Sequence, residues 1–374
     1  MNLLISGDFC ITPDFLEKNL FDPSVVELFN QSDYNIVNLE CPITQDNANN
    51  KILKTGPHLC TDERICCHLK KININAVTLA NNHLLDYGEK GLCDTLNTLQ
   101  SQNISFVGGG KNIAEASKPL FIENNNLRIA VINFCENEWS IATNDCGGAN
   151  PLDIVDNTNQ IKEAKQKADF VIVIAHGGHE YYQLPSPRMV KQYRFFIDNG
   201  ADAVIGHHTH CISGLEIYKN CPIAYSLGNM IFTCDSQFNV WYTGLLAQLK
   251  IVKNKSVDII LHPIKQQVGE FYVTLLNNKQ KNENQEQIKK LSIIIQSTDK
   301  LQVEWNKYLK KRKNIIEVFS PINFIPGRYI KFALKRFGLN KVLLKKSKLK
   351  NWLNHIRCEA HRDVLIEIIS KKLK

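Results

Sequence analysis

Residues 200–210 read GADAVIGHHTH, a short apolar run that leads directly into a cluster of histidines. The run at 203–205 is almost continuous in hydrophobicity, which is typical of a strand that is buried on both faces. His207, His208 and His210 follow at once. A solvated loop rarely carries three imidazoles, so this stretch predicts a buried strand that delivers histidines to a metal site. We interpret His207 as the most structural of the three.

Six further apolar runs of this kind occur in the first 240 residues, and helical patterns lie between several of them. In the segment 90–102, for example, Leu92, Leu96 and Leu99 fall on one helical face. Alternation of buried strands with helices is typical of a layered α/β domain. The other predicted strands are residues 3–6, 35–39, 76–79, 129–134, 170–175 and 223–227, and the other predicted helices are residues 159–168 and 186–199.

Side chains that bind metals stand just after five of these runs. Because ligand groups gather at the carboxyl ends of strands in open α/β sheets, we expect them to meet at one sheet edge. Carboxylates, imidazoles and a carboxamide suit divalent Mn, Fe, Zn or Mg ions, one or two in number. Two such ions, held roughly 3.5–4 Å apart by a bridging carboxylate, can clamp a phosphoryl group. The predicted set is Asp8, Glu40, Asn82, His83, His176, His208 and His210.

Some of these residues have a plainer interpretation when they are taken alone. Asp8 could cap a helix, Glu40 could be a loop carboxylate, and Asn82 could belong to a turn. Asp86 lies three residues after His83 and either orients that imidazole or caps a helix. The placement of the whole set after separate strands favours a site over these alternatives.

Six motifs occur in the order that they have in a known bacterial family. They are GD at 7–8, NLE at 38–40, LANNHxxDxG at 79–88, HGGHE at 176–180, GADAVIGHHTH at 200–210 and YSLGN at 225–229. Over about residues 1–240 the chain resembles the CapA family, which is linked to capsule and poly-γ-glutamate synthesis. That family is similar in fold to the calcineurin-like metallophosphoesterases, and the resemblance implies a four-layer α/β/β/α sandwich.

The resemblance also implies how the metal ligands divide. Asp8 and His210 would bind a first metal, and Glu40 would bridge it to a second. The remaining ligands of the second metal would be Asn82, His176 and His208.

The resemblance implies catalytic and substrate-binding roles as well. His83 would be the general acid beside the leaving group, with Asp86 behind it. Glu180 and Asn229 would line the substrate pocket. The expected activity is metal-dependent hydrolysis or transfer of a phosphoester, or attack on an amide or ester in a surface-polymer precursor.

Two residues depart from the phosphoesterase pattern. Phosphoesterases usually pair the first aspartate with a histidine two residues later, and that position is Cys10 here. A thiolate can bind Zn or Fe, but a buried neutral thiol is the commoner state, so a weak or empty first metal site is an alternative. The bridging residue is Glu40 rather than an aspartate, which gives the bridge a longer arm.

The last quarter of the chain has a different composition from the rest. Residues 281–374 contain 23 Lys+Arg and 8 Asp+Glu, a local balance of +15, whereas residues 1–280 balance at −7. This asymmetry indicates two regions with different roles. We predict a CapA-like metallophosphoesterase domain over residues 1–276 and a basic, mainly helical extension over residues 277–374, with one long helix at 285–313.

The basic extension has three interpretations. Aromatic and aliphatic residues alternate with Lys and Arg over residues 324–350, as in helices that lie on anionic lipid. The same charge could bind an anionic polymer, with nucleic acid the less favoured partner. It could also be a solvated helical appendage. A second functional hypothesis follows, in which a non-catalytic accessory protein of surface-polymer assembly binds a ligand and docks on a membrane or partner.

The sequence contains no apolar run near the roughly 20 residues that cross a bilayer, and its first residues are a poor export signal. We therefore predict a cytoplasmic protein, with peripheral contact at the inner face of the membrane as an option. Its twelve cysteines are scattered through a long chain, and we expect reduced, mostly buried thiols.

Overall fold

Strands and helices alternate along the first 276 residues in the computed structural model, which describes residues 1–45, 48–124, 126–313, 315, 322, 325–337, 339, 346–358, 361–362, 364–366 and 368–369. The strands are β1 (Asn2–Cys10), β2 (Tyr34–Leu39), β3 (Ala76–Thr78), β4 (Ser105–Val107), β5 (Gly109–Gly110), β6 (Leu120–Asn124), β7 (Leu127–Cys135), β8 (Gly148–Ala149), β9 (Phe170–His176), β10 (Ala203–His207), β11 (Leu215–Tyr218), β12 (Cys221–Ala224), β13 (Asn229–Phe232), β14 (Thr243–Lys250), β15 (Asp258–Gln266) and β16 (Val273–Leu275).

Helices flank the strands and then dominate the rest of the chain. They are α1 (Pro23–Asn30), α2 (Ile65–Lys71), α3 (Gly88–Ser101), α4 (Ile113–Ala116), α5 (Ile154–Lys165), α6 (Pro187–Asp198), α7 (Asn278–Ile295), α8 (Thr298–Lys311), α9 (Arg328–Arg336) and α10 (Lys346–Arg357). Short 3₁₀ turns lie at Pro13–Phe15, Ala48–Asn50 and Asn239–Tyr242.

The strands form two large sheets. The first has the order β16-β15-β14-β1-β2-β3-β4, in which β1 to β4 are parallel and the last three strands of the chain are antiparallel. The second has the order β11-β12-β10-β9-β7-β6, with a parallel centre and antiparallel edges. Strand β1 pairs with β14 along its first half and with β13 along its second half.

The two sheets pack face to face across a core of apolar side chains. Ile5 and Ile36 from the first sheet pack with Ile172 and Ile205 from the second. These strands are β-branched on both faces because each sheet is covered twice, once by its partner sheet and once by helices.

Helices cover the outer face of each sheet. On the first sheet, Phe29 and Leu96 pack with buried strand residues such as Val37. On the second sheet, Ile161 of α5 and Phe196 of α6 belong to the core that contains Val173. The layers are therefore helix, sheet, sheet and helix, and the predicted α/β/β/α sandwich is confirmed.

The helices begin where the sequence supplies caps. Ser186 accepts a hydrogen bond from Met189 N and precedes Pro187, so α6 starts as its pattern predicts. Asp153 caps Val155 and Asp156, so α5 begins five residues before the predicted segment 159–168. The missed first turn is largely polar and carries no apolar periodicity.

The single long helix predicted at 285–313 is wrong, because two helices occupy that segment. Helix α7 ends at Ile295, and Ser297 then caps α8 by accepting a hydrogen bond from Lys300 N at 3.4 Å. Neither glycine nor proline marks this break in the sequence.

The chain forms two compact units, one over Met1–Gln302 and one over Val303–Lys374. Helix α7 belongs to the first unit, where Ile288 is buried in the core between the sheets and Ser292 Oγ accepts a hydrogen bond from Leu215 N at 2.9 Å. The predicted boundary after residue 276 therefore falls inside the first unit.

The second unit contains most of α8 together with α9 and α10. None of the helices in the described part of the chain is long and apolar enough to cross a membrane. All twelve cysteines lie in the described ranges; none of them forms a disulfide, and five are buried.

Candidate metal centre

The predicted ligands meet where the two sheets come together, rather than at the edge of one sheet. Asp8 and Glu40 come from the first sheet, on β1 and just after β2, and the Asn82 loop follows β3. His176 is the last residue of β9, and His208 follows β10 directly, both in the second sheet. The expectation of a single edge is wrong, because the parallel strands of both sheets have their carboxyl ends at the same place.

The sequence predicts that Asp8 follows the first strand, but in the structure Asp8 lies inside β1. The pairing of β1 with β2 shifts register between Ser6 and Asp8, and this bulge turns the Asp8 side chain toward the site. Gly7 allows the close approach of the neighbouring backbone, because a Cβ at that position would lie 1.8 Å from the Gly228 carbonyl oxygen. The GD motif therefore serves the geometry of the site as well as its chemistry.

Two groups of ligand atoms converge at this place, and they share one carboxylate. We call Glu40, His176 and His208 the His176 group, and Asp8, Glu40 and His210 the Asp8 group. Within each group the ligand atoms lie within 4.8 Å of one another, and all of the residues are buried. The two groups divide the residues as the family resemblance implies, and the binding of two metals by them stays a prediction.

The His176 group has the spacing that a single ion requires. His208 Nδ1 and His176 Nε2 are 3.1 Å apart, and Asn82 Oδ1 is 3.0 Å from His176 Nε2. Glu40 Oε1 is 3.6 Å from the same nitrogen. Donor atoms that each sit about 2.0–2.1 Å from one ion are about 3 Å apart, so the donor set fits a divalent cation.

The Asp8 group is held as an ion pair. His210 Nδ1 lies 3.4 Å from Asp8 Oδ2, and His210 Nε2 lies 3.7 Å from Glu40 Oε1. Burial alone would lower the pKa of His210, but its hydrogen bond with Asp8 raises it. Burial would likewise raise the pKa of Asp8, but His210 and His176 together hold it well below its ordinary value. In this group, protonation of the imidazole competes with metal binding.

Neutral imidazoles characterise the His176 group instead. Burial, together with the neighbouring His208, holds the pKa of His176 well below its ordinary value. Burial and the nearby His210 lower the pKa of His208 to about 4. Both rings therefore carry free lone pairs at neutral pH, which is the state in which imidazole binds metals.

Glu40 is the residue that the rest of the protein explains least. Its side chain is fully buried, and neither carboxylate oxygen has a hydrogen-bond donor within the described part of the chain. Burial and the facing Asp8 carboxylate raise its pKa well above the ordinary value. A buried carboxylate without a donor is costly unless a cation compensates it, so Glu40 fits a metal bridge.

Asn38 is a site residue that the sequence analysis missed. Its Nδ2 donates to Asp8 Oδ1 at 2.8 Å and lies 3.3 Å from His176 Nδ1. Asn38 therefore lies on the side of the His176 ring that points away from Glu40. Through these two contacts it positions one residue of the Asp8 group and one residue of the His176 group. Asn38 belongs to the NLE motif, directly before Leu39 and Glu40, and this placement was the available signal.

His83 and Asp86 form a pair beside the metal ligands, with His83 Nδ1 2.7 Å from Asp86 Oδ2. Lys54, a second missed residue, forms a buried ion pair with Asp86 and lies 3.2 Å from His83 Nδ1. Burial lowers the pKa of His83 in spite of Asp86. Lys54 lies in a long loop without periodicity, where the sequence carries no signal for it.

Cys10 is buried at the end of β1 and belongs to neither ligand group among the described residues. A hydrogen bond between the Cys10 and Cys41 thiols, together with burial, raises the pKa of Cys10 well above its ordinary value. A neutral thiol is a poor metal ligand, so among the acidic, cysteine and histidine side chains of the described residues the Asp8 group keeps three donors and Cys10 adds none.

The loop after β10 is strained. His208 and His210 have φ angles of 92° and 52°, in the left-handed region that favours glycine. Such conformations cost about 1–3 kcal/mol each and cluster at functional sites. Between them, Thr209 points away and donates to Ser226 Oγ at 2.9 Å. The strain places two imidazoles on the same side of the loop.

The two predicted substrate-binding residues lie in different places. Glu180 is exposed, and its charge acts on Glu40 and His208. Asn229 is buried, with Oδ1 2.9 Å from His210 Nδ1 and Nδ2 donating to Trp241 O at 3.0 Å. It begins β13, after the chain has crossed from the second sheet to the first. Its amide is thus engaged in holding His210, and substrate binding by either residue stays a prediction.

Comparison with known proteins gives a consistent result. Residues 12–234 match the family model described as bacterial capsule synthesis protein PGA_cap. The chain is 34% identical over 243 residues to the PGA biosynthesis protein CapA of Bacillus subtilis strain 168, covering 64% of this chain and 63% of that protein. It is 31% identical over 245 residues to the capsule biosynthesis protein CapA of Bacillus anthracis, covering 64% and 59%.

A solved structure of a putative 5'-nucleotidase from Staphylococcus aureus, in complex with alpha-ketoglutarate, is similar at a TM-score of 0.47 and 14% identity. The match covers 76% of this chain and 58% of that one. The chain spans about three fifths of the length of the two curated relatives.

Proposed function

Because this chain belongs to the bacterial capsule synthesis protein family PGA_cap, we propose that it is a metal-dependent, phosphoesterase-like hydrolase of capsule, exopolysaccharide or poly-γ-glutamate synthesis. The proposed substrate is a phosphoester or a surface-polymer precursor. The observation that carries the proposal is Glu40, a fully buried carboxylate without a hydrogen-bond donor in the described part of the chain, placed between two sets of ligand atoms.

Two divalent ions fit the donors, and the His176 group is the stronger site. Glu40, His176 and His208 would hold one ion, with the Asn82 amide oxygen as a further donor. Asp8, Glu40 and His210 would hold the other. The donors are nitrogen and oxygen atoms, which suit Mn, Fe, Zn or Mg. When bound, such ions polarise a phosphoryl oxygen and make water nucleophilic near neutral pH.

His83, Asp86 and Lys54 control a proton beside these ligands. Asp86 accepts from Nδ1 of His83, which fixes the tautomer and leaves Nε2 for a substrate. The lowered pKa of His83 means that the free protein holds this ring neutral at neutral pH. A phosphoester anion next to the ring would raise the pKa of His83 and favour its protonated form. Binding of the substrate would thus help to protonate the imidazole that donates a proton to the leaving oxygen.

The test has a binding arm and a turnover arm. Purified wild-type protein is loaded with Mn²⁺, its bound metal is counted, and phosphomonoester and phosphodiester panels are assayed. We expect bound metal in wild type, loss of the ion of the His176 group in His176→Ala, and unchanged binding in His262→Ala, a half-buried control. His83→Ala should keep the metal and lose turnover. Absence of bound metal in wild type would refute the proposal.

A second candidate is a non-catalytic accessory protein whose site binds a ligand. Cys10 favours it, because the neutral thiol leaves the Asp8 group with three protein donors and phosphoester hydrolysis commonly uses a complete pair of ions. One bound ion per chain, with no turnover of either panel in wild type, would support this candidate over the enzyme.

A further inference from the structure

Helix α10 carries a stripe of apolar side chains along one face, and most of them are exposed. Leu349, Trp352, Leu353 and Ile356 recur at the i, i+3, i+4, i+7 spacing that places side chains on one helical face. Trp352 and Leu353 are 41% and 55% exposed, and Ile356 is exposed as well. Apolar residues in a row are normally buried, so this stripe indicates an interaction surface.

Helix α9 repeats the feature in a shorter form. Tyr329 and Phe332 are 88% and 66% exposed, and Ile330 between them is exposed as well. Phe337, just past the end of the helix, is also exposed. Arg328, Lys331 and Arg336 provide the polar part of the same segment. Both helices thus combine large exposed apolar side chains with basic ones.

The charge of this segment has a single sign. Residues 328–357 contain ten Lys+Arg and no Asp or Glu. A helix that bound a protein groove would gain little from uniform charge, whereas a helix that lies on an anionic bilayer gains from every Lys and Arg near the surface. Nucleic acid and acidic polymers attract the charge but offer no apolar phase for a stripe of Trp, Leu and Ile.

We propose that α9 and α10 form a bilayer-docking surface for anionic phospholipid headgroups. The apolar stripe of α10 and the exposed rings of α9 enter the boundary between headgroups and acyl chains, and the basic side chains remain among the lipid phosphates. The observations on α9 and α10 do not involve the metal ligands, so the inference stands or fails without the chemistry proposed for them.

The test is vesicle flotation of the full chain. We expect binding to vesicles that contain phosphatidylglycerol, little binding to pure phosphatidylcholine, and release by high salt. The double variant Phe332→Ser with Trp352→Ser should bind the anionic vesicles at least about tenfold more weakly, because it removes apolar anchors. Each charge reversal, Lys331→Glu or Lys350→Glu, should weaken binding by at least about fivefold.

Matched controls lie in the first unit. Ile217→Ser replaces an exposed apolar residue, and Lys255→Glu reverses an exposed charge. Both should leave vesicle binding unchanged. Circular dichroism of each variant should match wild type. If the first double variant does not fold, Tyr329→Ser with Leu353→Ser replaces it.

Polyanion binding separates the alternatives. Poly-γ-glutamate and double-stranded RNA are tested with the same variants. Loss of vesicle binding in the double variant Phe332→Ser with Trp352→Ser, with polyanion binding unchanged, would support docking on the bilayer. Failure of wild type to float with anionic vesicles, or equal flotation of wild type and both variant classes, would overturn the proposal.

Discussion

Two buried glutamates of the first unit have opposite surroundings. Glu216 receives a bidentate contact from Arg194, with Nη2 at 2.6 Å, and a hydrogen bond from the Tyr225 hydroxyl at 2.8 Å. Glu40 is as deeply buried, but no donor reaches it within the described residues. A charge that is satisfied by its own fold serves stability, and a charge that the fold leaves unsatisfied is available to a ligand. On this basis, Glu40 is assigned to the candidate metal centre, and Glu216, with Arg194 and Tyr225, is assigned to the stability of the fold.

The largest effect should come from Glu40→Gln, which removes the carboxylate that both ligand groups share. We expect metal affinity to fall by about a thousandfold and turnover with it, because an amide lacks the charge that a bridge needs. Isothermal titration with Mn²⁺ measures this change. Unaltered metal binding would show that Glu40 does not serve as the bridge. The proposed functional difference between Glu40 and Glu216 would then be refuted.

Glu216→Gln should produce the reverse pattern. It leaves the Arg194 guanidinium without its anionic partner, and we expect the free energy of unfolding to fall by about 3 kcal/mol. Urea denaturation measures the loss, and Glu163→Gln on the exposed face of α5 is the control. Metal affinity should equal that of wild type. A loss of metal with retained stability would contradict the assignment.

Asn38→Ala tests the support of the ligands rather than a ligand. Its amide holds Asp8 and faces His176, and loss of such a partner typically costs about 10–100-fold in metal affinity. Asn35→Ala, on the same strand and equally buried, should lower stability without affecting metal affinity, because Asn35 donates to Phe29 O and Asn73 O instead. Equal metal affinities in the two variants would show that the position of Asn38 has no special role.

Without metal, Glu40→Gln should be more stable than wild type. The neutral amide avoids the cost of a buried carboxylate that has no donor, and we expect a gain of about 1 kcal/mol in the free energy of unfolding at neutral pH. Thermal melting in the presence of a chelator measures this gain. A less stable variant would mean that the Glu40 carboxylate is satisfied by the fold, as that of Glu216 is.

The smallest effect concerns His68, a buried polar residue whose partner lies in the fold. Its Nε2 donates to Leu16 O at 2.7 Å, and burial lowers its pKa below the ordinary value of 6.5. The unfolded chain therefore binds the proton more readily, and stability falls as the pH decreases below 6.5, by at most about 1.4 kcal/mol per pH unit. His68→Gln should remove this slope in acid denaturation. A slope equal to that of wild type would contradict the prediction.

The residues that the sequence predicts as ligands lie close together in the structure, whereas the arrangement of the sheets was less predictable; metal binding by these residues stays a prediction. His176 and His208 could be found because each follows a short, continuous apolar run, which is a strong local signal. The assignment of strands to two sheets depends on contacts that are distant along the chain. Asn229 shows the limit: it follows a predicted strand of the second sheet but begins β13, which pairs with β1 in the first.

The residues that hold the ligands were the least predictable. Asn38 and Lys54 act through side-chain contacts with partners 138 and 32 residues away; the NLE motif contains Asn38 without indicating these contacts, and Lys54 lies in no motif. The break between α7 and α8 was missed for a related reason, because a single serine cap competes with a strong helical composition. Local periodicity reports which face is buried, but it does not report which polar groups meet.

The pairing of β1 with β13 and β14 has a consequence for synthesis of the chain. Strand β1 pairs with strands that lie more than 220 residues later in the sequence, and the Asp8 carboxylate accepts a hydrogen bond from the backbone N–H of His208, 200 residues away. Contacts of such separation form late, after the intervening chain has closed. The nascent chain therefore cannot bring the candidate ligands together until β10 and the loop after it have been synthesised, so we expect the proposed metal binding to follow assembly of the two sheets.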